Sequence, residues 1–594
     1  MTTLPPIPIG DSRRWLAPLG LAVLLGSLLF VRLGEDVPLR SHEVLLAETA
    51  RNMVLHRPVQ LPDGSRPSPW LVPNFNYTPR LCKTPLPYWT VAGLAYLTGG
   101  VDEWTARLPS ALAALGTVLI VMALVRRRSD RPTARLAGAA LATSGLFLVM
   151  ARTAQADMML AFFCTAAVAA LWMAVETHGR RRFGWLVLAG AAAALAMLAK
   201  GPVPAIVFPA PLAVAAGMML ARLVRSGQPR RTRLADWAWT LGGAAAGAVL
   251  FAAIALPWLA YVYLRVPEVL AIMKAESVDR STGDFGHGEP FYFYLIRLPL
   301  LAGPWTVFFI HGIVLAAKRA RQEAASRPWL GFLGAWLFGP LVAFSAAAGK
   351  QDHYILPVFP ACAVLVAMSL RHFLAPASSG AQRAGVRIMQ AHGGILMVLG
   401  VAGFLAMGWL VMQPGLLPPA PHWFQAVAPA VAEQGLLAPV AYVLIICLVG
   451  GAVAAVLAVP QGLHRSLVVL VATFAAAFLL AWPTIIGPTG GATTAAEFGR
   501  HVRREAPPEA PLFFFADANN TVIFYAARPI PLLPTPDQVR QELARGRPFY
   551  LICYERDLEA LGLTAGLAPV VHLTDPFRPS DGFRLFRGGP AATK

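Results

Sequence analysis

The chain is short of charge. Only 14% of its 594 residues are Asp, Glu, Lys or Arg, where a soluble protein of this size carries about a quarter. That shortage excludes an ordinary water-soluble globule. Cysteine is equally sparse. Cys82, Cys164, Cys362, Cys447 and Cys553 stand far apart, three of them inside apolar runs. The absence of any CxxC or Cys/His spacing excludes a zinc-ligand motif, and scattered free thiols are expected rather than a Cys82–Cys553 disulfide. No small-residue cleavage site follows the first apolar run, Trp15 to Leu33. That run, preceded by Arg13 and Arg14, is therefore expected as an uncleaved first helix with its N-terminus inside. Internal repeats are lacking too, as are low-complexity tracts beyond Ala/Leu-rich stretches.

What the chain has is hydrophobic sequence: 56% of residues are apolar or aromatic and mean hydropathy is +0.57. Apolar runs near the ~20 residues needed to cross a bilayer recur along most of its length. They predict spans at 15–33, 105–125, 136–150, 158–176, 183–199, 203–221, 237–262, 298–317, 328–347, 354–374, 391–412, 436–458 and 466–487. The expected fold class is thus an all-α polytopic membrane protein of about 13 transmembrane helices, with a small C-terminal α/β domain.

The net charge of +19 is no footprint of nucleic acid, because the Arg residues stand in short clusters between the apolar runs. Arg126, Arg127, Arg128, Arg131 and Arg135 follow the second run, and Arg180 to Arg182 the fourth. Arg222, Arg225, Arg230, Arg231 and Arg233 follow the sixth; Lys318, Arg319, Arg321 and Arg327 follow the eighth. Arg371, Arg383 and Arg387, then Arg465, continue the alternation. By the positive-inside rule these loops face the cytoplasm. An odd number of spans then puts the C-terminus on the outer face.

The other face carries long polar loops, 34–104 and 263–297, and such loops commonly build a site. In the first, His42 to His56 has the pattern of a helix lying in the interface, and Pro85 to Leu97 that of a second interfacial or re-entrant helix. Past residue 488 the composition changes. Residues 489–594 alternate β-type runs (Leu512–Phe515, Tyr550–Cys553, Val570–Leu573, Phe583–Phe586) with helix-like segments at 536–545 and 555–561. This predicts an outer-face α/β domain beside a membrane domain of residues 1–488.

Ionisable groups at membrane depth are costly and point to function. The candidates gather on the outer side: His42, Glu43, Glu48, Arg51, Lys83, Asp157, Lys200, Arg280, His287, Lys350 and Tyr354. Acids that can activate a hydroxyl beside cations that can hold a phosphate suit group transfer from a lipid phosphate. Taken singly each has a plainer explanation. The three Lys could snorkel from helix ends, Asp157 could pair with Arg152, and Glu48 with Arg51 could form a helix surface pair. His42 has no second ligand at helical spacing. No cofactor is called for; a divalent metal is compatible with such chemistry, but no ligand spacing indicates one.

Several segments carry a resemblance. His42-Glu43, followed by Ala47, Glu48, Arg51 and Met53, opens the series, and Leu81-Cys82-Lys83-Thr84-Pro85-Leu86-Pro87-Tyr88-Trp89 follows. Ala106-Arg107-Leu108-Pro109-Ser110, Asp157-Met158 and Ala199-Lys200-Gly201-Pro202 come next. Glu276 with Arg280, His287 with Pro290, and Lys350 with His353-Tyr354-Ile355-Leu356-Pro357 complete it. In this order, over roughly residues 15–375, they resemble the polyprenyl-phosphate-dependent glycosyltransferases of the GT-C superfamily. The likeness is to bacterial aminoarabinose (lipid A) transferases and to protein O-mannosyltransferases.

The resemblance implies inverting transfer of a sugar from a polyprenyl-phosphate carrier to a lipid A-like or protein acceptor at the outer face. It casts Glu43 and Asp157, with His42, as catalytic groups. Lys83, Lys200, Arg280 and Tyr354 would bind the donor phosphate, and Arg51, His287 and Lys350 substrate. His42 stands where the family has Asp; a neutral imidazole can also accept a proton. Cys82 stands where the family has an acid, which points away from aminoarabinose as the sugar. Two other classes remain open, a transporter or flippase and a non-catalytic binder of lipid-linked sugars. Transporters favour inverted repeats and midplane charges, and the sequence has neither.

Overall fold

A computed structural model describes residues 16–34, 37–225, 229–274, 288–375, 379–412, 435–486, 492–562, 566–575 and 581–589. The apolar runs fold as helices, because a backbone surrounded by hydrocarbon must satisfy its own hydrogen bonds. Nine helices among the described residues are long and apolar enough to cross a bilayer, and up to eleven if each of two bent pairs is one span. The bent pairs are Arg131–Ala142 with Gly145–Ala151, turning by 70°, and Phe293–Leu301 with Thr306–Gln322, turning by 114°. The two other predicted spans fall on shorter helices, Leu16–Phe30 and Pro209–Arg225. The protein is a multi-pass membrane protein.

Close helix packing follows from small residues. Where Gly179–Lys200 crosses Arg230–Arg265, Gly190 faces Gly247, and a Cβ on Gly190 would run into the Gly247 backbone. Such small-residue contacts are the usual means by which membrane helices approach each other.

The first loop holds helix Ser41–Val54, a two-stranded hairpin (Asn74–Phe75 with Thr78–Pro79) and helix Leu86–Thr98. Helix Ser41–Val54 differs from the interfacial helix that its pattern predicts. Val44, Ala47, Ala50 and Met53 are buried, and so are Glu43, Glu48 and Asn52. It is covered on one side by helix Leu86–Thr98 of the same loop and on the other by the C-terminal region. Its two acids are held instead by Arg107 and Arg51.

That C-terminal region contains a five-stranded mixed sheet in the order 532–533, 512–515, 549–554, 583–588, 567–573. The first three strands are parallel, and the last two add antiparallel. Helices Ala492–Glu505 and Asn520–Ala526 pack against it. Phe498, Val502, Val522 and Phe524 share one buried cluster with Leu39, Val44, Ala47 and Ala106, so the sheet unit is seated on the first loop. All five cysteines are free.

Candidate functional site

The site begins with a helical hairpin. Helices Ala156–Glu176 and Gly179–Lys200 have 21 and 22 residues and are joined by two. At about 1.5 Å per residue they are matched in length, so the first turn of one meets the last turn of the other. Asp157 lies in that first turn, where a carboxylate is favoured, and Lys200 in that last turn, where a cation is favoured. The two side chains form an ion pair. Gly201 then reverses the chain with a φ of +62°, a conformation open to glycine. Its N–H donates to Thr84 Oγ1 at 3.1 Å, tying the hairpin end to the first loop.

A third element closes on this pair. The 3-10 segment Asp352–Val358 sets His353 Nε2 3.9 Å from Asp157 Oδ1. Tyr354 presents its ring to the Lys200 ammonium, 5.2 Å from the ring centre. The segment is held in place by Tyr294, whose hydroxyl donates to the Gln351 carbonyl at 2.9 Å and accepts from the Gln351 N–H at 3.2 Å. Lys83 and His42 stand within electrostatic range of the same group, Lys83 acting on both Asp157 and His353 and His42 on His353. The structure therefore gathers His42, Lys83, Asp157, Lys200 and Tyr354, all expected from the sequence. It adds His353, whose place beside Tyr354 in the resemblance was the available signal.

Other expected residues sit elsewhere. Glu43 was expected as a catalytic acid, but it is 1% exposed and both its oxygens are taken. Arg107 Nε donates to Oε1 at 2.9 Å and Nη2 to Oε2 at 3.1 Å. The Ala154 N–H donates to Oε1 at 2.9 Å and the Arg40 N–H to Oε2 at 3.0 Å. Burial alone would raise this carboxyl; the Arg107 charge and these hydrogen bonds outweigh it and hold the carboxyl below its usual range. Arg107 also donates to the carbonyls of Leu33, Val37 and Pro38. Glu43 thus fastens the first loop to the membrane body.

Arg51, expected to contact substrate, is committed to Glu48 Oε2 at 2.7 Å and the Phe524 carbonyl at 2.7 Å. Lys350, expected likewise, is 4% exposed and spends its ammonium on the carbonyls of Glu289, Ala347 and Ala348. Asp157 does not pair with Arg152, which instead donates to the carbonyls of Leu28, Val31 and Arg32. Arg280 and His287 lie outside the described residues. No group of three or more His, Cys, Asp or Glu side chains that could hold a metal occurs among the described residues. Chemically, the assembled cluster offers cations for an anion and one exposed imidazole.

The family described as dolichyl-phosphate-mannose-protein mannosyltransferase matches residues 65–272. An undecaprenyl phosphate-alpha-4-amino-4-deoxy-L-arabinose arabinosyl transferase of Pseudomonas fluorescens is 28% identical over 369 residues, 61% of this chain and 60% of that protein. An uncharacterised protein of Aquifex aeolicus is 28% identical over 342 residues, 57% of this chain and 61% of its own. The matched part therefore spans about three-fifths of those relatives' length. The structure of ArnT from Cupriavidus metallidurans bound to undecaprenyl phosphate superposes with a TM-score of 0.72 at 20% identity, covering 98% of this chain and all of that one.

In sequence over the matched segment, and in fold over nearly the whole chain, the protein is thus similar to lipid-phosphate-dependent glycosyltransferases. The mannosyltransferase match takes in Lys83, Asp157 and Lys200 but begins after His42 and Glu43 and ends before His353 and Tyr354. The rest of the cluster is united with the matched segment by the tertiary structure alone.

Proposed function

We propose that this chain is an inverting glycosyltransferase. It moves a sugar from a polyprenyl-phosphate carrier to a lipid A-like or protein acceptor at the periplasmic face of the inner membrane. The observation that carries this reading is the meeting of Lys83 and Lys200 around Asp157 and His353, with Tyr354 against Lys200. The named activity of the Pseudomonas relative supports it.

In this reading Lys83 and Lys200, joined by Arg280, hold the carrier phosphate and stabilise the charge it gains on departure. Asp157 fixes the Lys200 ammonium in place, and the Tyr354 ring limits its swing. The acceptor oxygen attacks the anomeric carbon from the face opposite the phosphate. The carbon–oxygen bond to the phosphate breaks, and the phosphate leaves with its electron pair. A hydroxyl acceptor gives its proton to His42, the exposed imidazole of the cluster; an ionised phosphate acceptor needs no base. The same reading has thirteen crossings, a cytoplasmic N-terminus and residues 489–594 as a periplasmic domain that covers the first loop. The reaction as written draws on no metal.

One observation favours a second reading, a non-catalytic binder of lipid-linked sugar: Glu43 is saturated and Asp157 is paired, which leaves no open carboxylate among these residues. Mass spectrometry of the envelope of a deletion strain separates the two. The expected result is loss of one sugar mass from a glycolipid or protein, restored by the intact gene and not by Lys200→Met. An unchanged glycan profile under every growth condition overturns the transferase reading.

A further inference from the structure

The far end of the membrane body carries a second convergence of cations. Helix Glu103–Arg128 starts beside Glu43, through Arg107, and runs away from the candidate site. Arg126 lies nineteen residues beyond Arg107, roughly 28 Å further along the helix axis. There, between this helix and Arg131–Ala142, is an open-sided cavity of about 360 Å³. Its apolar side is formed by Leu119, Met122 and Ala123, and its polar side by Arg126, Arg131 and Arg135.

The three guanidiniums, unlike Arg128 and Asp130 beside them, are uncommitted, and unlike Arg127 they line the cavity. Arg128 is paired with Glu176 at 2.7 Å. Asp130, the acid nearest in sequence, caps helix Arg131–Ala142 through Thr133 and holds Arg371 at 3.0 Å. Among the described residues, neither Arg126, Arg131 nor Arg135 has a carboxylate partner. Topology alone would explain loose cations at this end of the helices. It does not explain why three converge on one cavity whose remaining wall is hydrocarbon.

We infer that this cavity binds an anionic phospholipid of the surrounding bilayer. The phosphate sits among Arg126, Arg131 and Arg135, and the first part of an acyl chain lies along Leu119, Met122 and Ala123. Charge complementarity selects an anionic over a zwitterionic headgroup, since basic pockets between membrane helices bind such lipids and each cation near the surface adds to the attraction. Guanidinium suits a phosphate through paired N–H donors. The site lies at the opposite helix ends from the proposed donor site and is independent of that assignment.

Native mass spectrometry of the full-length, detergent-purified protein, titrated separately with phosphatidylglycerol and phosphatidylcholine, tests the inference. The expected result is retained phosphatidylglycerol adducts on the parent protein and weak phosphatidylcholine adducts. R126A/R131A/R135A is expected to weaken phosphatidylglycerol binding at least about tenfold, while R180A/R181A, elsewhere on that face, leaves it unchanged. Should the triple variant fail to fold, Ala123→Trp fills the apolar side with all three Arg retained, and it too is expected to lower the adduct population several-fold. Equal phosphatidylglycerol and phosphatidylcholine binding, or undiminished adducts in either cavity variant, overturns the site.

Discussion

The Arg51 guanidinium lies over the Phe524 ring, 3.8 Å from its centre, and donates to the carbonyl of that same residue at 2.7 Å. One side chain of the first loop thereby grips the C-terminal unit by both the face of a ring and its backbone. Close by, the Tyr525 hydroxyl accepts from the Leu39 N–H at 3.0 Å and donates to Glu103 at 2.6 Å, and Asn76 exchanges two hydrogen bonds with the Ile530 backbone. The seat of the sheet is polar at its rim and apolar at its centre.

Removing that grip is expected to loosen the docked unit without unfolding the membrane helices. A buried cation–π contact and a charged hydrogen bond together contribute on the order of 2 to 4 kcal/mol. In Arg51→Ala, hydrogen exchange of helix Asn520–Ala526 is expected to speed up by at least about tenfold, with exchange of Ala156–Glu176 unchanged. Equal exchange in both proteins contradicts the assignment of Arg51 to docking.

Glu48 makes the same contact pH-dependent. Burial pushes its carboxyl up to about 7, with Arg51 and Arg57 pulling it partly back, and its Oε1 accepts no hydrogen bond among the described residues. The folded state therefore favours the neutral acid. That advantage is full below the ordinary value near 4.5, shrinks as pH rises and is gone above about 7, a change of up to roughly 3 kcal/mol. Thermal unfolding of the purified protein from pH 4.5 to 7.5 is expected to show stability falling with pH across this window. Glu48→Gln is expected to flatten that slope, and a slope that survives the substitution assigns it to another group.

Lys200 and Asp157 are expected to separate by kinetics. Lys200→Met removes a cation that the proposed mechanism places on the leaving phosphate, and its turnover should fall by roughly 100- to 1,000-fold. Asp157→Asn leaves the ammonium in place but unanchored, and a smaller loss is expected. Single-turnover transfer from a polyprenyl-phosphate sugar measures both. An Asp157→Asn variant more damaged than Lys200→Met would give the carboxylate a direct chemical part.

His42 is the base of the proposed reaction when the acceptor is a hydroxyl. His42→Ala is then expected to lose about 100-fold or more in turnover while donor binding persists. Undiminished transfer by this variant indicates an acceptor that arrives already ionised.

Glu43→Gln is expected to act on folding rather than chemistry. It leaves the Arg107 charge buried without its counter-ion, a change that costs about 3 to 5 kcal/mol. The expected outcome is a sharply lower melting temperature and yield, with the donor affinity of the folded fraction kept. Full stability with lost turnover would return Glu43 to the catalytic group.

Much of the architecture was legible in order along the chain. The apolar runs marked the helices, and the β-type runs at 512–515, 550–553, 570–573 and 583–586 each lie on a strand, because these signals depend on neighbours a few residues away. Lys83, Asp157, Lys200 and Tyr354 were legible as site candidates through their place at helix ends on one face. Partnership was not legible. Asp157 lies five residues from Arg152 yet pairs with Lys200, 43 residues on, and Glu43 finds Arg107 across 64 residues. Helix Ser41–Val54 carries the pattern of an interfacial helix and is largely buried within the protein. The sequence by itself determined which segments form apolar helices and which charges share an end of them. Only the tertiary structure decided which charge meets which, because a buried ion chooses the partner that helix packing brings within hydrogen-bond reach, and that distance is set by whole helices rather than by spacing along the chain.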